Sequence, residues 1–132
     1  MGTKAIEKVL IKACEALGLV PLSRIFVTDD FPEGNVASDC MVIHVKQPQR
    51  GDYFYRGFVE VNFVTPDEEG RAKHERLEEA ESILIRAFKY DTVGEWEGDT
   101  YRYGLYSYQT LAEPDAGYHY VNARLTFEIL NI

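Results

Sequence analysis

Three histidines, two cysteines and 22 carboxylates are the side chains from which any chemistry in this 132-residue chain would have to be built. A transition-metal site needs ligands at short, paired spacings, as in HxH, HExxH or CxxC. His44, His74 and His119 each stand alone and complete no such set. His44 and His119 fall on expected strands and would meet only if those strands were neighbours. Hydrogen-bonded strand or surface histidines are the simpler expectation. Nucleophile signatures are missing too, since the chain has no GxSxG and neither cysteine sits in a catalytic pattern. Asp29-Asp30 has the acidity of a cation loop, but the following Phe-Pro-Glu-Gly departs from a calcium-binding hand. No glycine-rich phosphate loop follows a strand. Paired carboxylates of the glycosidase kind cannot be singled out among so many acids. Arg50-Gly51-Asp52 matches an integrin-binding tripeptide, yet it falls in an expected hairpin loop where glycine is wanted for the turn. These residues point away from an enzyme, a metal and a cofactor.

Aromatic residues are the remaining feature. Tyr101, Tyr103, Tyr106 and Tyr108 crowd one expected strand, with Tyr118 and Tyr120 on the next. Side chains alternate along a strand, so Tyr101 and Tyr103 are expected on one face and Tyr106 and Tyr108 on the other. One face can join the core. The other needs a cover, either cross-strand tyrosine pairing within the chain or a neighbouring subunit. Trp96, Tyr106 and Tyr108 are therefore the candidate subunit contact.

The elements that would position them follow from periodicity. Thr3 is placed to cap a helix whose apolar face is Ile6, Val9, Leu10, Ala13 and Leu17, with Gly18 at its C-terminal stop. Residues 24–28 read as a short strand, and residues 29–37 as a polar loop. Strands over 38–46 and 53–64 are joined by turn residues 47–52, forming a long hairpin. Val59, Val61 and Phe63 would face inward.

Thr65-Pro66-Asp67-Glu68 matches a helix start: a capping threonine, a proline at the first helical position and a capping-box glutamate. On that reading Thr65→Ala costs about 1 kcal/mol through the lost cap. The helix should run to about Phe88, with Leu77, Ala80, Leu84, Ala87 and Phe88 as its apolar stripe. Residues 91–99 read as a loop and 100–111 as a strand. After a turn at 113–117, residues 118–130 alternate cleanly, with Val121, Ala123, Leu125, Phe127 and Ile129 inward. The expected fold is a single α+β domain of order α-β-β-β-α-β-β, with two helices on one face of a mainly antiparallel sheet.

Composition bounds the partners. A formal charge of −8, with 14 basic residues scattered among the acids, lacks the basic stripe that nucleic-acid binding requires. No apolar run approaches the ~20 residues of a membrane span, and the start of the chain is amphipathic rather than a signal peptide. The chain reads as cytoplasmic to its host. Cys14 and Cys40 fall at apolar positions and are expected to be buried free thiols.

The layout resembles the tail-terminator and tail-completion (head–tail joining) proteins of long-tailed bacteriophages. An N-terminal helix, a long hairpin, a second helix and a closing hairpin carry the likeness. So does the final strand, Tyr120-Val-Asn-Ala-Arg-Leu-Thr-Phe-Glu128, and the resemblance runs from the first helix to Ile132. It implies a structural role in a phage or prophage: self-assembly into rings, often of six subunits, that stop tail-tube growth and meet the head connector. No catalytic residue is carried over. The alternative is a small-molecule-binding protein or small enzyme with a pocket between helix and sheet, against which the apolar alternation of residues 121–129 speaks. A host regulatory or adaptor domain is a third option.

Overall fold

Eleven consecutive pairs, from Arg56↔Glu128 to Pro66↔Tyr118, join β3 (Arg56–Pro66) to β6 (Tyr118–Ile129) in an antiparallel ladder. In the computed structural model, which describes residues 1–31, 36–46 and 56–130, this ladder is the centre of a six-stranded sheet. The other elements are α1 (Thr3–Glu15), β1 (Ile25–Val27), β2 (Cys40–Val45), α2 (His74–Phe88), β4 (Thr92–Trp96) and β5 (Asp99–Glu113). The strands lie in the order β1-β2-β3-β6-β5-β4. Only β1 and β2 run parallel; every other neighbouring pair is antiparallel. The fold is α+β, as the alternation implied, and both helices pack on one face of the sheet.

That face is apolar because each central strand sends alternate residues to it. Val59, Val61, Phe63, Val121, Ala123, Leu125 and Phe127 are fully buried there beneath Ile6 and Leu10 of α1 and Ala80 and Leu84 of α2. Each large apolar side chain so buried stabilises the fold by about 1.5–3 kcal/mol. The other face holds a smaller cluster of Val36, Cys40, Val42 and Val64, flanked by Phe26, Phe31, Tyr118 and Tyr120. Ala87, expected within the stripe of α2, is exposed. The hairpin loop, with Arg50-Gly51-Asp52, and residues 53–55 lie outside the described residues.

Three expectations are corrected. Residues 91–99 are not a loop throughout: β4 pairs with residues 99–103 of β5 across a two-residue turn, Glu97-Gly98, both at positive φ. Nor does Thr65 start the second helix. Thr65 and Pro66 end β3, opposite His119 and Tyr118. The chain then makes a second two-residue turn at Glu69-Gly70, closed by reciprocal backbone hydrogen bonds between Glu68 and Arg71 (2.8 and 3.0 Å), and α2 begins only at His74. The first helix likewise takes Gly2 as its cap, without a side-chain bond from Thr3.

Thr65 instead serves a tertiary purpose. Its hydroxyl, fully buried, donates to Asp39 Oδ1 at 2.6 Å. Asp39 Oδ2 accepts from Arg76 Nε at 2.8 Å, and Arg76 Nη2 donates to the Leu19 carbonyl at 2.8 Å. The Arg76 guanidinium also lies over the Phe63 ring, 4.9 Å from its centroid. Thr65→Val should therefore destabilise the fold by about 1–3 kcal/mol, because a buried charge-assisted bond is lost. A double-mutant cycle of Thr65→Val with Asp39→Ala, followed by denaturant unfolding, should give a coupling of about 1 kcal/mol. Zero coupling would show that Thr65 does not act through Asp39.

Candidate subunit interface

Tyr101 and Tyr103 face the core, opposite Ile129 and Phe127. Their rings stack on Phe127 with centroids 5.5 and 5.8 Å away, and Tyr103 also meets Phe88 of α2 at 6.1 Å. This half of the tyrosine strand is internal packing.

Beyond it the ladder slips. The register shifts between Leu105, opposite Leu125, and Ser107, opposite Arg124, so Tyr106 is the extra residue of a one-residue bulge. The bulge overturns the expectation that Tyr106 and Tyr108 share a face. Tyr108 stands opposite Ala123 on the helix side, as does Thr110, whose hydroxyl donates to Glu81 of α2 at 3.3 Å. Tyr106 lies on the other side, its ring 5.0 Å from that of Phe58, over which the Arg124 guanidinium stacks at 4.7 Å. Both tyrosines are open to solvent, at 62% and 49%. Trp96 is not beside them: it ends β4 opposite Asp99, half-buried against the main core at the far end of β5. The three candidate contact residues thus occupy three separate places.

What Tyr106 and Tyr108 do share is an edge. β4 covers β5 only through Tyr103. From residue 104 to 113, β5 has β6 on one side and no described strand on the other. Residues 106–110 are all exposed, and residues 104–112 carry no charged side chain and no proline. At Gly104, where this stretch opens, an added β-carbon would meet the exposed Asp91 carboxylate. The opposite edge of the sheet is β1. A cleft of about 250 Å³ runs beside it, lined by Ile25, Phe26 and Val27 and by Lys4, Glu7, Lys8 and Ile11 of α1, with Asp30.

The three histidines are dispersed over β2, α2 and β6. His44 bonds Thr28, and His119 Nδ1 lies 2.6 Å from Asp67 Oδ1. β3 separates their strands, so the two histidines do not meet. Among the described residues no three His, Cys, Asp or Glu side chains are grouped to hold a metal ion. One cleft, of about 160 Å³, lies between α1 and β2 and is lined by Thr3, Glu7, Thr28 and His44; a wider and more open one, of about 470 Å³, lies beside the start of α2 and is lined by Glu68, Lys73, His74, Glu75, Arg76 and Glu79. Among the described residues no helix is long and apolar enough to cross a membrane.

Cys14 and Cys40 are free and buried on opposite faces of the sheet, as their apolar positions implied for each thiol. Burial pushes the Cys14 thiol up to about 12 and the Cys40 thiol up to about 11, the latter moderated by Arg24.

Comparison with known proteins adds the fold alone. No family model matches the chain, and no curated protein matches it. A solved structure known only by an identifier is similar, with a TM-score of 0.60 and 19% identity over 98% of this chain and 93% of that one.

The thiols give a pH dependence with a definite sign. An unfolded thiol releases its proton near pH 9, whereas the folded chain holds both until about pH 11 or 12. The unfolded state then binds fewer protons, so stability is fully present below pH 9 and falls as pH rises above it. Denaturant unfolding at pH 8, 9 and 10 should show that fall, and Cys14→Ala with Cys40→Ala should flatten it. An unchanged slope in the variant would contradict the assignment.

Proposed function

We propose that this protein is a structural component of a bacteriophage or prophage, one that self-assembles and caps or joins the tail tube at the head–tail interface, with no catalytic role. The observation that carries the reading is the open, uncharged edge of β5 with Tyr106 and Tyr108 exposed on its two sides. Unpaired strand edges bind other strands, and proteins that work alone blunt them with charge or proline. Exposed tyrosines favour the same outcome, since they bring large contact area with little entropy loss. The helix–hairpin–helix–hairpin layout supports placing that association at the end of a phage tail.

The partners on this reading are further copies of the chain, the tail-tube protein and the head connector. The net charge of −8 suits contacts with protein and a pore wall that does not grip passing DNA. Assembly would take place in the host cytoplasm, and the product would stay in the virion.

On this reading the same genome encodes a tail-tube protein; the test is to polymerise that protein with and without the purified chain, and to image the tubes. Tubes should shorten as the protein is added, with density at one end. Tubes of unchanged length with bare ends would overturn the reading.

A further inference from the structure

Resting on the reading of a self-assembling protein, we propose that copies of this chain join head to tail through their two sheet edges, residues 104–112 of β5 on one copy adding to β1 of the next.

Strand sense is the first support. Counting along the sheet, β6 is antiparallel to β5, β3 to β6 and β2 to β3, while β1 is parallel to β2. β1 therefore runs opposite to β5. When a second copy continues the sheet with its helices on the same face, its β1 meets β5 antiparallel, the more stable pairing. The strand segments that would touch are uncharged on both sides: residues 104–112, and Ile25, Phe26 and Val27.

Charge is the second support. Two copies carrying −8 each repel in general, so a contact between them must match opposite signs locally. The helices beside the two edges do so. α2 lies over β5, with Glu81 reaching Thr110 and Glu78 one turn earlier, exposed. α1 lies beside β1, and the cleft along that strand is lined by its exposed Lys4 and Lys8, one turn apart, by the buried Glu7, and by Asp30 after the strand, so the exposed charges there are two basic and one acidic. Lys4 is 80% exposed and pairs with Glu7 at 3.6 Å. In a continued sheet α2 of one copy and α1 of the next flank the same seam, acid against base. Tyr108, half-exposed on the helix face, is the aromatic side chain at that seam. Each copy uses one edge as donor and the other as acceptor, so the contact is heterologous and closes into a ring when the rotation between copies permits.

The test is a charge exchange read by sedimentation and light scattering, with circular dichroism confirming that each variant is folded. Lys4→Glu with Lys8→Glu should weaken assembly at least tenfold, and so should Glu78→Lys with Glu81→Lys. All four substitutions in one chain restore opposite signs across the seam and should restore assembly. Double variants that assemble like the wild type, or a quadruple variant that stays monomeric, would overturn this seam while leaving self-assembly standing. A wild type that remains monomeric at high concentration and on tail tubes would remove the self-assembly reading itself.

Discussion

The pairing of β3 with β6 is the constraint on which the molecule depends. These strands lie at the centre of the sheet, and each buries one complete row of alternate side chains beneath the helices. A slip of one residue would turn Val59, Val61 and Phe63, or Val121 to Phe127, from the core to the opposite face, so the register is strongly specified. The strands on either side inherit that register. β2 and β1 extend the sheet from β3, and β5 and β4 extend it from β6. The two edges then end on strands of unequal cover. β1 is three residues long, and β5 runs well past the short β4.

The Asp39–Thr65–Arg76 network fixes the second helix to that centre. It joins the residue before β2, the end of β3, the third residue of α2 and the carbonyl of Leu19 after α1. Such a network is sensitive to loss of one partner, because the remaining charge is left short of bonds in a partly buried site. By holding α2 over β6 and β5, it also sets where Glu81 stands relative to the open edge.

The local patterns in the sequence were legible where one period governs a segment. The alternation of β3 and β6 and the stripe of α2 from Leu77 to Phe88, apart from Ala87, read directly as buried faces. Legibility failed where short turns competed with longer signals. Thr65-Pro66-Asp67-Glu68 has the residues of a helix start, but Glu69-Gly70 takes two positive φ values, and the turn wins. Glu97-Gly98 makes the same kind of turn and creates β4 from an expected loop. Asn-Gly and Asp-Gly are the stronger signals for such turns, so Glu-Gly carries little weight beside a helix-start pattern.

For the candidate interface, the tyrosines were visible but their faces were not. Alternation counts residues, and the bulge at Tyr106 adds one to the count without leaving a plain mark in the sequence. Which strands form the edges is a tertiary fact, outside the reach of any local pattern. The spacing of Lys4 and Lys8 was available in the sequence, but it acquires meaning only once the cleft beside β1 is known.

The central claim is that the open edge of β5 is a surface completed by another chain. Amide hydrogen exchange, resolved by residue and compared between dilute protein and assembled protein, measures this directly. In both samples the amides of β3 and β6 should be protected, since each has a strand on both sides. Outward-directed amides within residues 104–112, and those of β1, should exchange rapidly in the dilute sample and slow markedly on assembly. Equal exchange of these edge amides in the two samples would contradict the account.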